Sequence, residues 1–105
     1  MLIEKIGKCA MLEQTAEECT ELAKACLKLS RKYRDENPTN KNINELLENL
    51  YEEITDVQIC INELTSTEFN DYNKMIQISA EKNKKIQERI KELETRYNNG
   101  YNDSI

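Results

Sequence analysis

The sequence predicts an all-α fold: an antiparallel helical bundle completed by oligomerisation. Three observations lead there. Apolar residues recur at helical spacing along three long stretches. Glycine occurs only twice and proline once in 105 residues, so little interrupts those stretches. The chain is 38% hydrophobic and 33% charged, with no Trp and a mean hydropathy of −0.81, which suits amphipathic helices with thin cores. A lone domain of this size and polarity buries limited apolar area, so partner chains are expected to complete the core. One domain is expected over residues 1–97, followed by a frayed polar tail over 98–105.

The first helical stretch runs from Leu2 to about Arg34. Gly7 is its weak point, costing roughly 1 kcal/mol in a helix interior, so a kink or a short separate helix is expected before Ala10. One arc of this helix collects Met11, Leu12, Ala16, Cys19, Leu22, Cys26, Leu29 and Tyr33, while Glu13, Glu17, Lys24 and Lys28 fall on the solvated side. Arg34 to Asn42 reads as a connection, since Asn37-Pro38 disfavours helix and the polar cluster supplies turn and cap residues. A second helix should start between Thr39 and Asn44 and run to about Leu64, with Ile43, Leu46, Leu50, Val57, Cys60 and Leu64 on its apolar arc. Thr65 to Glu68 is a break. A third helix is expected from about Phe69 to Tyr97, with a basic second half.

Charge and composition exclude several function classes. A net charge of −5 and a pI near 4.9 oppose nucleic-acid binding, which needs a basic surface. No run approaches the apolar length of a membrane span, and there is no signal-peptide h-region, so a cytoplasmic protein with no membrane partner is expected. Cys9, Cys19, Cys26 and Cys60 form no CxxC, and no histidine is present to complete a zinc site. Cys19, Cys26 and Cys60 fall on apolar arcs and are expected to be buried, reduced thiols. Without histidine there is no Ser-His or Cys-His pair, and neither a Walker A loop nor GxGxxG occurs. Any chemistry must come from bound metal.

Carboxylates supply the metal chemistry. Glu18 and Glu21 lie three residues apart on the first helix, and Glu53 and Asp56 repeat that spacing on the second. Residues so spaced have Cβ atoms roughly 5–6 Å apart, close enough to present both carboxylates to one cation. Helices joined by a short loop pack antiparallel, so the two pairs can face each other and form a nest for hard, oxygen-loving ions. Glu53 falls inside an apolar arc, between Cys60 and Leu46 on the helical wheel, and Glu18 lies at the margin of another. A carboxylate in such a place costs several kcal/mol unless it is paired or metal-bound. Lys82, Lys85 and Arg89 share one face of the third helix, where they could grip phosphates; Lys28 and Arg31 follow the first motif more weakly.

The pattern Glu17-Glu18-x-x-Glu21-Leu22, followed by Glu52-Glu53-Ile54-x-Asp56-Val57, resembles the MazG-like nucleoside triphosphate pyrophosphohydrolases of the all-α NTP pyrophosphatase superfamily. The likeness runs from about Gly7 to Arg89 and includes Lys82 and Lys85. It implies a helical homodimer or tetramer with Mg²⁺, Mn²⁺ being a substitute, held by Glu18, Glu21, Glu53 and Asp56. It also implies hydrolysis of a (d)NTP between the α and β phosphates to a (d)NMP and pyrophosphate. Glu18 or Glu21 would take a proton from water, and Lys82, Lys85, Arg89 and Lys28 would bind phosphate. Where the family carries Trp-Gly and then a glutamine near the base, this chain has Ile6-Gly7 and Met11, so Met11 is a weak candidate for the nucleobase pocket and base preference stays open. The competing classes are a non-catalytic helical oligomerisation or interaction module and a degenerate family member that binds nucleotide without cleaving it.

Overall fold

A computed structural model describes residues 1–36 and 40–104 of the chain. Those residues contain four helices and no strand: α1 (Leu2–Ile6), α2 (Lys8–Tyr33), α3 (Ile43–Thr65) and α4 (Tyr72–Ser104). The chain divides into two compact units, Met1–Asn70 with α1 to α3, and Asp71–Ile105 with α4. The Asn37-Pro38 pair and Thr39 lie outside the described residues.

Gly7 separates α1 from α2 with φ +88° and ψ 163°, a conformation essentially reserved for glycine. No atom lies within 4 Å of the place a Cβ would occupy, so the backbone angle itself is what demands glycine. The short α1 is then tied down by α3. The backbone N–H groups of Leu2 and Ile3 donate to the two carboxylate oxygens of Glu63 at 3.2 and 3.0 Å, satisfying orphan donors at a helix N-terminus with a negative charge.

At its other end α2 stops in a Schellman turn. Asp35 takes a positive φ of 57°. Its N–H donates to the Lys32 carbonyl, and the Glu36 N–H donates to the Arg31 carbonyl at 2.9 Å. Glycine usually fills that left-handed position, and aspartate is among the few other residues that tolerate it. Asn42 opens α3, its side-chain oxygen accepting from the Glu45 N–H at 2.9 Å. α2 and α3 therefore form an antiparallel hairpin.

The core of this unit is thin. Ile3, Met11 and Cys60 form one buried cluster with Leu64 packed against it; Ala25 and Leu29 of α2 and Leu46 of α3 are buried toward the loop. Each fully buried large apolar side chain contributes roughly 1.5–3 kcal/mol. A single partner helix covers only a strip of each apolar arc, which corrects the cysteine expectation. Cys60 is buried, but Cys9, Cys19 and Cys26 are exposed. Burial pushes the Cys60 thiol up, opposed by a hydrogen bond with Thr15 and assisted by the nearby Glu18 and Asp56 charges, so it is held in the neutral form.

In the second unit, α4 begins at Tyr72 rather than Phe69 because Asp71 caps it, its carboxylate accepting from the Lys74 N–H at 3.1 Å. The helix then continues past Tyr97 to Ser104, through the segment where the sequence predicts a frayed tail. None of the described helices is long and apolar enough to cross a membrane.

Candidate functional site

The antiparallel hairpin brings Glu18 of α2 level with Glu53 and Asp56 of α3. Glu18, Glu53 and Asp56 each offer a carboxylate oxygen, and those three atoms lie within 4.8 Å of one another. Glu18 and Glu53 are half-buried and Asp56 is exposed, so the group opens to solvent on the aspartate side. Helical geometry explains the arrangement. Glu53 and Asp56 sit one turn apart on the α3 face turned to α2.

Three carboxylates this close repel one another. Partial burial and then the charges of Asp56, Glu18, Glu21 and Glu52 hold the Glu53 carboxyl above the usual glutamate range. Gln14, one turn before Glu18, donates its amide N–H to a Glu18 oxygen at 2.8 Å and fixes that carboxylate. In the sequence, only the four-residue spacing from Glu18 signals Gln14.

Glu21 does not join the three. Its carboxylate pairs instead with Lys24 at 3.3 Å on the outer side of α2. Its charge still bears on Glu53. Lys28 is exposed two turns further along α2. Met11 departs most from its expected role: it is wholly buried against Ile3 and Cys60, and a base could reach it only by opening that packing. Lys82, Lys85 and Arg89 are exposed on one face of α4, with Arg89 3.5 Å from Glu92. An open groove beside the three carboxylates is lined by Glu48, Tyr51, Glu52, Thr55 and Asp56. Tyr51, which no motif in the sequence marks, is 54% exposed there.

The donor set fits a hard divalent cation. All three ligands are carboxylate oxygens, the preference of Mg²⁺ and Mn²⁺. Two oxygens on one Mg²⁺ can lie no more than about 4.2 Å apart, twice the usual Mg–O distance. A separation of up to 4.8 Å thus needs only a small side-chain closure. A cation would also offset the repulsion that, after partial burial, raises Glu53.

Comparison of the chain with protein-family models, with curated proteins and with solved structures returned no match.

Proposed function

We propose that this chain is a Mg²⁺-dependent nucleoside triphosphate pyrophosphohydrolase of the MazG-like kind, cleaving a (d)NTP to a (d)NMP and pyrophosphate, with Mn²⁺ able to replace Mg²⁺. The observation that carries the proposal is the meeting of Glu18, Glu53 and Asp56, from two helices, within 4.8 Å. An acidic chain of this kind can bind an anionic substrate where bound cations invert the local sign.

Glu18, Glu53 and Asp56 would hold the metal, which supplies Lewis acidity and charge neutralisation at the phosphates. Glu18, fixed by Gln14, would keep its oxygens aimed at the ion. Glu21 stands one turn away on the exposed side of α2, and rotation away from Lys24 would free it to ligate or to take a proton from the attacking water. Lys28 would offset charge on the leaving pyrophosphate. For Lys82 and Lys85 the same role rests on the sequence pattern. The exposed ring of Tyr51, in the groove beside Asp56, offers a flat apolar face for stacking a base.

The test is pyrophosphate release from a panel of canonical and modified NTPs and dNTPs, with Mg²⁺ and with EDTA. Mg²⁺-dependent release from one or a few members is expected; silence across the panel would defeat the proposal. A second reading, a helical oligomerisation module without chemistry, draws on one observation: the apolar residues of α4 are exposed. EDTA separates the two, because an oligomerisation module should melt at the same temperature with or without it.

A further inference from the structure

The carboxylate site makes no use of the apolar pattern on α4. From Tyr72 to Tyr97, apolar or small residues recur there in alternating four- and three-residue steps, with Asn83 the one polar amide in the series. That repeat is the heptad of a left-handed coiled coil, whose a and d positions face a partner helix. Ile76, Asn83, Ile90 and Tyr97 occupy a positions. Tyr72, Ser79, Ile86 and Leu93 occupy d positions. The seam is open: Ile86 is 53% exposed, Ile90 41% and Leu93 44%. A shallow depression on this helix is lined by Ile90, Leu93, Glu94, Tyr97 and Asn98. The first four are an a, a d, an e and the next a position, the kind of four-residue hole that receives a d-position knob from a facing helix.

We infer that the occupant of this seam is α4 of a second copy of the chain, in a parallel two-stranded coiled coil. Ile at a with Leu at d, as at Ile90 and Leu93, favours two parallel strands. Asn83 is the one polar amide at an a position, the device that specifies register and strand number. Two such amides can hydrogen-bond to each other only when the copies align in register.

The charges select the same orientation. The g positions are Met75, Lys82, Arg89 and Arg96, and the e positions are Asn73, Ala80, Gln87 and Glu94. In a parallel pair each g residue faces the following e residue of the other helix, so Arg89 of each copy meets Glu94 of the second copy. An antiparallel pair would set g against g, opposing Lys82, Arg89 and Arg96 to like charges. Arg89 leaves little behind in the exchange, because its exposed pair with Glu92 at 3.5 Å is weak. Lys85 falls at c, away from the seam, and Lys82 faces a neutral glutamine. Those two lysines remain open to phosphate, while Arg89 is drawn into the interface. The coiled coil goes beyond the proposed activity and does not rest on it: mass reads the one, pyrophosphate release the other.

The experiment is sedimentation equilibrium of the full chain over a wide concentration range. A dimer mass is expected for the wild type, and a monomer mass for Ile90→Glu where the wild type is dimeric. Arg89→Glu converts both attractive pairs into repulsive ones and should raise the dimer Kd about tenfold at low salt. Mixing Arg89→Glu with Glu94→Arg chains should restore the dimer. A wild-type monomer or tetramer, or a dimer indifferent to Ile90→Glu, would overturn the inference. So would Arg89→Glu tightening the dimer or leaving it unchanged, since either is the signature of an antiparallel pair.

Discussion

Withdrawing or adding Mg²⁺ should move the stability of the chain by an amount that can be worked out beforehand. Glu18, Glu53 and Asp56 place three negative charges within 4.8 Å, and a bound divalent cation would offset two of them. At ten times its Kd the ion stabilises the folded chain by about 1.4 kcal/mol. For a chain near 100 residues that corresponds to a rise of about 6–11 °C in Tm. pH supplies a second handle with opposite signs in the two states. The Glu53 carboxyl is raised above the ordinary value of 4.5. Without metal, its ionisation penalises the fold at neutral pH. That penalty is relieved as pH falls through the folded pKa toward 4.5, so the Glu53 contribution to stability in EDTA should improve on mild acidification. With Mg²⁺, protons compete for the same oxygens, so the metal increment should shrink over the same interval. The assay is thermal unfolding by circular dichroism in Mg²⁺, in EDTA and in NaCl of matched ionic strength, with Glu53→Gln run beside the wild type. An equal Tm in Mg²⁺ and matched NaCl, or a Mg²⁺ increment retained in Glu53→Gln, would refute the reasoning.

Other outcomes follow from individual residues. Met11→Ala should cost about 2–5 kcal/mol in urea unfolding, as expected for emptying a fully buried methionine site; a change near zero would return Met11 to a ligand-contact role. Gly7→Ala should cost about 1–3 kcal/mol through its positive φ, measured by the same unfolding, and a neutral substitution would mean that the α1–α2 break relaxes freely. In thiol labelling of the native chain, Cys9, Cys19 and Cys26 should react quickly while Cys60 lags, being buried with its thiol pushed up. Four equal rates would contradict the packing of Cys60.

Much of the fold was legible because the α2–α3 hairpin is written in local signals. Gly7, the helical spacing of the apolar residues and the Asn42 cap mark breaks and starts that the structure keeps. The wheel positions of Glu18 and Glu53 anticipated their half-burial, and with it their meeting. What the sequence could not convey was how much of each apolar arc a neighbour covers. Cys19 and Cys26 lie on the α2 arc yet face solvent, because one partner helix shields a narrower strip than the arc spans. Glu21 shares the spacing of Glu18 but is rotated toward Lys24, a preference decided by side-chain geometry that a motif does not record. Met11 could be assigned either to the apolar arc or to a base pocket, and only tertiary packing against Ile3 and Cys60 separates the two. α4 starts at Tyr72 and not at Phe69 for a local reason: Asp71 caps it three residues before Lys74.

In the proposed reaction, the Glu18–Glu53–Asp56 cluster would hold the metal for phosphoanhydride cleavage. The most direct measurement of that role is the rate of pyrophosphate release by Glu53→Gln against the wild type, on the best substrate at saturating Mg²⁺, with helicity matched by circular dichroism. Glutamine keeps the shape and removes the charge. Loss of turnover with helicity intact is the predicted result; near-normal turnover in Glu53→Gln would contradict the account.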